Sequence, residues 1–474
     1  MSETMRYIST RGRIDPVDFK QAVMMGLADD GGLIIPQRIP DVSDRLDDWR
    51  ELDYADLAFE VMRLFTTDLD DAELRELCRR TYGAAFEPEP APVVRVGDRF
   101  VLELWHGPTL SFKDIALQML GNLFERILAE TGGMLNILGA TSGDTGSAAI
   151  AGVRSRDRID IFMLHPHGRV SPIQRRQMTT VPDANVHNIA VEGSFDDCQQ
   201  IMKTLAGDLD FKRRYSLGAV NSVNWARVLA QIVYYFRATF RVQAETGASG
   251  VRVCVPTGNF GNILAGWYAR RMGAPISTLV LATNDNDILA RFFRSGKYAR
   301  GQVHQTLAPA MDIQVASNFE RYLYYYLGED ADELRRHMEQ FARTGSLEVQ
   351  AGPDGVDPAI EAGAACREDV LDAIRRCYEQ TGYLLDPHTA CGWSVVESLV
   401  PAGVGAGGSA DGEPTLCVAT AHPAKFPEAV AEATGRDELA RHPEIDKLSD
   451  FDERFDILPN DAERVRQYIV DKVT

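Results

Sequence analysis

The sequence predicts an α/β protein, with parallel sheets covered by helices on both faces behind a mostly helical N-terminal domain. From residue 93 onwards, short unbroken apolar runs alternate with helical stretches. Strands buried on both faces read as continuous runs of this kind, not as alternating ones. The runs fall into two groups separated by a long helical stretch, Val223–Thr246, which predicts two sheets. Three strand-to-helix junctions are rich in Gly, Ser, Thr and Asn, and ligands in open α/β sheets lie beyond the carboxyl ends of strands.

Taken in order, Val17–Met25 has helical periodicity, Asp29–Gly32 makes a turn and Leu33–Pro36 is extended. Tyr54–Phe65 and Asp71–Tyr82 read as amphipathic helices. Ala85–Pro92, rich in Pro and acid, has no periodicity and marks a boundary. Expected strands follow at Phe100–Leu104, Met134–Leu138, Ile159–Leu164, Val186–Val191, Val251–Val255, Thr278–Ala282 and Thr415–Ala419. Expected helices are Ile115–Thr131, Ser147–Val153, Val223–Thr246, Asn262–Met272 and Val370–Thr381. Gly403–Gly412 reads as a flexible surface loop, and the end of the chain as helical. The expected division is an N-terminal domain (1–92), a smaller α/β domain (93–215) and a larger one (216–474).

With 474 residues, 45% hydrophobic and 25% charged, the chain matches an average globular composition and is long enough for about three domains. Its net charge of -19 repels nucleic-acid phosphate and anionic lipid, so neither nucleic acid nor a membrane surface is an expected partner. Seven cysteines are scattered with no C-x-x-C pair, which suits a reducing compartment. Met1–Asp15 has no apolar signal core, and no uncharged apolar run approaches the ~18 residues of a span. A soluble, cytoplasmic globular protein is the expectation.

The first junction, Gly139–Gly146 (GATSGDTG), combines small residues with three hydroxyls and a carboxylate before a helix. Such a loop brings a ligand close to backbone N–H groups. No Lys-Ser or Lys-Thr follows its glycines, which excludes a Walker A loop. The second, Pro256–Asn262 (PTGNFGN), suits a phosphate held on backbone N–H groups and lacks the dinucleotide G-x-G-x-x-G pattern. The third is Ala419–Phe426 (ATAHPAKF). A fourth element, Leu102–Asp114, ends in Ser-Phe-Lys-Asp at a helix start. A lysine among bulky apolar residues loses hydration, which lowers its pKa and frees a nucleophilic amine. His106 and His422 read as hydrogen-bonded pocket walls. His165 and His167 lack a third ligand at metal spacing, so no metal is expected.

In order and spacing, Ser111–Asp114, GATSGDTG, TGNFGN and TAHPAKF resemble the fold-type II pyridoxal-phosphate enzymes, whose architecture is tryptophan synthase β-like. Within them the chain is similar to the threonine synthase family, in the branch with a long N-terminal domain. YISTRG (7–12), GLADDGGLIIP (26–36) and NSVNWAR (221–227) add to the resemblance, which runs from residue 7 to about residue 430.

The resemblance implies pyridoxal 5'-phosphate in Schiff-base linkage to Lys113. It implies Gly258, Asn259, Phe260, Gly261 and Asn262 around the cofactor phosphate, and Thr420 at the pyridine nitrogen. The substrate carboxylate would fall to Thr141, Ser142, Gly143, Asp144 and Thr145. Asn224 and Arg227 would meet the phosphate of the substrate, O-phospho-L-homoserine. Many fold-type II relatives carry Asn where Asp144 stands, which leaves open whether Asp144 bonds the ring hydroxyl or orders its loop. The implied reaction is γ-elimination of phosphate and β-addition of water, giving L-threonine as the last step of its biosynthesis. The alternative is another fold-type II activity, such as serine or threonine dehydratase, whose lysine lies nearer the chain start. The expected assembly is a monomer or homodimer. On so acidic a chain, anion recognition must rest on a local island of positive potential.

Overall fold

The computed structural model describes residues 4–83, 85–141, 143–218, 220–399 and 412–473. In chain order the strands are β1 (Tyr7–Ser9), β2 (Ile34–Pro36), β3 (Val93–Val96), β4 (Arg99–Glu103), β5 (Leu135–Ala140), β6 (Ile159–Pro166), β7 (Val186–Glu192) and β8 (Leu217–Gly218). They continue with β9 (Val251–Pro256), β10 (Ile276–Thr283), β11 (Lys297–Ala299), β12 (Ser346–Glu348), β13 (Ile360–Ala364), β14 (Thr415–Ala419) and β15 (Asp456–Pro459). The larger sheet has the order β13-β10-β9-β14-β4-β3 and is parallel except for the β3–β4 hairpin. The smaller sheet, β15-β7-β6-β5-β8, is parallel throughout.

Strands β9 and β14 are buried at every position. This is why they read as unbroken apolar runs: helices such as Gly261–Arg271 and Pro387–Leu399 pack on the larger sheet. The helix Trp225–Thr246 lies between the layers and buries Trp225, Tyr234, Tyr235 and Phe236 completely. It starts two residues after the expected Val223, because the Asn224 side chain caps it by accepting from Ala226 N–H at 3.0 Å. The helix Asp144–Val153 starts before the expected Ser147, directly after Gly143 (φ 155°) ends the preceding turn.

Two stretches lie on the other side of the expected divisions. The β3–β4 hairpin, within 93–215, joins the larger sheet, where β4 pairs with β14. Strand β15 and the helix Ala462–Val473, within 216–474, join the smaller sheet, with Val465 and Ile469 packed among Phe162, Leu164 and Cys198. Sheet membership follows which edge is open in space, and proximity in sequence does not report that. Strand β15 is short and mostly exposed, so it left no apolar run to read. The expected loop at Gly403–Gly412 lies, apart from Gly412, outside the described residues. Among the described residues no helix is long and apolar enough to cross a membrane.

The N-terminal domain has no core of its own. Tyr7 and Phe65 meet Trp225 at 6.1 and 5.8 Å between ring centroids, and Trp49 meets Phe236 edge-on at 5.4 Å. Its antiparallel ribbon, β1–β2, is fixed by two buried contacts. Thr10 and Arg11 both donate to Glu320. Arg321, fully buried, donates to Ile34 O (3.0 and 2.8 Å), Val223 O (2.6 Å) and Asn318 Oδ1 (2.6 Å). One guanidinium therefore ties the ribbon, the cap of the central helix and the segment before Phe319 together. Arg321→Leu would strand those acceptors without a donor, at about 1–3 kcal/mol each. Urea unfolding should show a loss of at least about 3 kcal/mol; a loss below about 1 kcal/mol would show that these bonds do not hold the ribbon.

Candidate active site

The carboxyl ends of β5, β9 and β14 and the Lys113 turn converge on one cleft. Lys113 is the first residue of the helix Lys113–Thr131. The turn before it is stitched to the end of β14. Leu104 N–H donates to Ala419 O (3.0 Å), Phe112 N–H to Thr420 O (2.9 Å) and His422 N–H to Leu110 O (3.1 Å). Lys113 and Thr420 are therefore neighbours through main-chain bonds. Asp114 closes the turn by accepting from Thr109 N–H (2.8 Å) and the Thr109 hydroxyl (2.7 Å). Burial pushes its carboxyl up to about 6, against those two bonds.

Lys113 is buried, with its Nζ 3.4 Å from Asp144 Oδ2. Burial lowers the pKa of its amine; Asp144 opposes that, and Lys425 and Arg227 push it further down. Asp144 is the hub of the cluster. Its Oδ1 lies 2.7 Å from Lys425 Nζ and accepts from Gln174 Nε2 at 2.9 Å. Burial alone would raise its pKa, but Lys425 and then Lys113 hold the carboxyl well below the usual range. Lys425 is the residue that sequence reasoning missed. It lay in the third junction without a role, and its only signal was an apolar setting between Ala424 and Phe426. Its side chain is 0% exposed and also donates to Thr109 O at 2.8 Å. Lys113, Lys425 and Arg227 make the cleft locally cationic on a chain of net charge -19.

At the end of β9, Gly258 is sterically required: a Cβ there would lie 2.5 Å from Ala310 O. Phe260 takes the left-handed conformation (φ 66°), with its ring stacked on Phe293. Between Thr257 N–H, which donates to Ala282 O, and Leu264 N–H, which donates to Phe260 O, the N–H groups of 258–262 find no protein acceptor among the described residues. Asn262 Oδ1 accepts from Tyr234 and Tyr235 (2.5 and 2.8 Å), while its buried Nδ2 has no partner. Asn259 is braced by the Ser317 hydroxyl at 3.2 Å. The nearly buried Thr420 hydroxyl likewise has no partner among the described residues.

The GATSGDTG loop divides its labour. The Thr141 hydroxyl accepts from Gly143 and Gly146 N–H, both at 3.0 Å, and so shapes the loop. A Cβ on Gly143 would lie 2.3 Å from Gln174 Oε1. Ser142 lies outside the described residues. Thr145 is half-buried and its hydroxyl has no described partner. Arg227 is buried; its Nη1 donates to Asn221 O at 2.7 Å, its Nε is unpartnered, and burial lowers it to about 10.

Asn224 also serves the fold. It is fully buried, its Oδ1 accepts from Ala226 N–H and its Nδ2 donates to Val23 O at 2.8 Å. These bonds commit one N–H and one acceptor position of the amide, out of the four bonds it can make. Asn221, half-exposed beside Arg227, keeps its amide nitrogen free of any described partner.

His422 accepts from Ala424 N–H, meets Trp105 edge-on, and burial lowers it to about 4. His106 bonds Glu103 and Glu87 O. His165 is buried with both ring nitrogens unpartnered.

Three family models match in succession: "Threonine synthase N terminus" over residues 6–82, "Pyridoxal-phosphate dependent enzyme" over 94–352 and "Threonine synthase, C-terminal" over 389–469. Threonine synthase of Pseudomonas aeruginosa is 44% identical, covering 98% of both chains. The chain belongs to the threonine synthase family. Threonine synthase of Schizosaccharomyces pombe is also 44% identical, over 91% of this chain and 89% of that one. A pyridoxal-phosphate-bound threonine synthase from Brucella melitensis superimposes with a TM-score of 0.92 at 41% identity, covering 99% of this chain and 100% of that one. The architecture is fold-type II and the cofactor is pyridoxal 5'-phosphate.

The donor set fits that cofactor: a buried amine, a cradle of free N–H groups with an orphaned amide, and a free hydroxyl lie in one cleft. Because the Lys113 amine is displaced towards its neutral form, uptake of the cofactor by apo-protein should rise with pH and level off below the ordinary lysine range. Arg227→Met removes a like charge and should move that midpoint upward. Visible absorbance followed by stopped flow checks both; a midpoint at the ordinary lysine value would contradict the electrostatic account.

Proposed function

We propose that this chain converts O-phospho-L-homoserine and water into L-threonine and phosphate, as the last step of threonine biosynthesis in the cytoplasm. The observation that carries this reading is a buried Lys113 amine together with two separate anion-ready places: the N–H groups of 258–262, which have no described acceptor, and the guanidinium of Arg227, whose charge reaches Lys113. A phosphorylated cofactor acting on a phosphorylated substrate needs two.

The N–H groups of 258–262, at the start of the helix Gly261–Arg271, would hold the cofactor phosphate together with Asn262 Nδ2. The Thr420 hydroxyl would meet the ring nitrogen; as a neutral group it leaves that nitrogen largely unprotonated. When bound, the cofactor draws off the negative charge left on the substrate by loss of a Cα proton.

The remaining work falls to this chain. Lys113 Nζ takes the Cα proton, and its lowered pKa raises the share of free amine above that of an ordinary lysine. The same nitrogen, beside Cα and Cβ, takes the Cβ proton as phosphate leaves Cγ; Cγ then gains a proton to become the methyl carbon, water adds its oxygen at Cβ and gives up a proton, and a proton returns to Cα. Arg227, with Asn221 beside it, receives the substrate phosphate. The loop Thr141–Thr145 offers the first N–H groups of the helix Asp144–Val153 to the substrate carboxylate. Asp144 does not repel that carboxylate, because its own oxygens are occupied by Lys113, Lys425 and Gln174.

Purified holoenzyme should release phosphate from O-phospho-L-homoserine in equal amounts with threonine. Formation of 2-oxobutyrate from threonine, without turnover of phosphohomoserine, would replace this reading by a dehydratase. Lys113→Ala should lower kcat by at least about 10³-fold. Arg227→Leu should raise KM for the phosphorylated substrate by about tenfold or more and change kcat less. An unchanged KM would remove Arg227 from the substrate site.

A further inference from the structure

We propose that Lys425 is the standing counter-ion of Asp144, a positioning residue that keeps this carboxylate ionised and aimed into the cleft while Lys113 is engaged with the cofactor. The inference rests on the reading of Lys113 given above. Asp144 touches two ammonium groups, and they are not equivalent. Lys113 Nζ lies 3.4 Å from Oδ2, and Asp144 is its one hydrogen-bond acceptor among the described residues. Lys425 Nζ lies closer, at 2.7 Å from Oδ1, and has a second anchor in Thr109 O at 2.8 Å. Thr109 is itself pinned, by two bonds from its N–H and hydroxyl to Asp114 and by Gln177 Nε2 donating to its carbonyl. Lys425 belongs to the short turn Pro423–Lys425 that follows β14 and has no solvent-exposed side-chain surface. It is built not to move, whereas Lys113 must.

When the nitrogen of Lys113 is committed to the cofactor or to a substrate proton, Asp144 loses that ammonium. A buried carboxylate with no cation beside it takes up a proton, because burial disfavours the charged form. Gln174 offers only a dipole, and His388, the other group whose charge reaches Asp144, is bound to Asp386 at 2.9 Å. Arg227 acts on Lys113, and Asp114, whose pKa Lys425 also lowers, is held by Thr109. Lys425 is thus the one cation in contact with Asp144 that the chemistry does not borrow. On this account an acid can occupy the position because a second lysine compensates for it.

The test is a pH titration of the visible absorption of holoenzyme without substrate, together with the cofactor dissociation constant, for wild type, K425R, K425M, D144N and D144N/K425M. Wild type and K425R should show no Asp144 transition. K425M should gain a transition between mildly acidic and neutral pH and bind cofactor at least about tenfold more weakly. The double variant should lose that transition and bind cofactor like D144N alone. Identical spectra and affinity for K425M and wild type would overturn the proposal. So would a double variant that keeps the new transition or binds more weakly than D144N, since Lys425 would then act other than through Asp144. If K425M does not fold, the comparison of D144N with D144N/K425M, neither of which leaves Asp144 charged and unpaired, still decides. These readouts need no substrate, so failure of the threonine synthase reading would appear in product assays and not here.

Discussion

A lysine whose amine is to be free more often than a surface lysine's has to be drier, yet a buried ammonium without a partner is not tolerated. That constraint shapes the centre of this protein. Lys113 is buried at a helix start, Asp144 compensates it from the opposite sheet, and Lys425 compensates Asp144 from the end of a third strand. Each of the three comes from a different part of the chain. They meet only when the ends of β5 and β14 and the Lys113 turn come together. The ion cluster is therefore a reporter of correct assembly between the two sheets as well as a chemical device.

The rest of the architecture serves to hold those ends still. Main-chain bonds from Leu104, Phe112 and His422 lace the Lys113 turn to β14, so no side-chain rotamer decides where Lys113 starts. On the other flank, Arg321 satisfies carbonyls of the N-terminal ribbon and of Val223, and orients Asn318. Asn318 in turn donates to Asn259 O and Ser222 O, linking the two anion-ready segments. The N-terminal domain acts here as a clamp. It shares the aromatic core around Trp225, and its ribbon reaches to within one residue of the Asn318 contacts. An acidic protein thus obtains a cationic cleft from three buried side chains and a row of free N–H groups. Both act over short range, where the overall negative charge has little influence.

The residue order settled the α/β class, the positions of the buried strands and the four chemical segments. Those features depend on local periodicity and on local steric demands: apolar runs for two-sided burial, and Gly258 and Gly143 where a Cβ would collide with Ala310 O or Gln174. Lys113 was visible because Ser-Phe-Lys-Asp stands in order with the other three segments in a pattern that resembles the family's; its local setting beside Phe112 is a weak signal by itself. What the order left open was decided by contacts between distant segments. The β3–β4 hairpin and β15 join sheets far from them in sequence, because strand pairing follows the open edge. Asn224, which the family resemblance implies as a ligand residue, also caps a helix and bonds Val23 O, while Asn221, whose Oδ1 accepts from Val223 N–H, keeps its amide nitrogen free of any described partner beside Arg227. Lys425 carried no local mark beyond its apolar neighbours Ala424 and Phe426. Its place against Asp144 exists only once β14 lies between β9 and β4 and brings its end over the cleft, since electrostatic partnership depends on distance in space and not on separation along the chain.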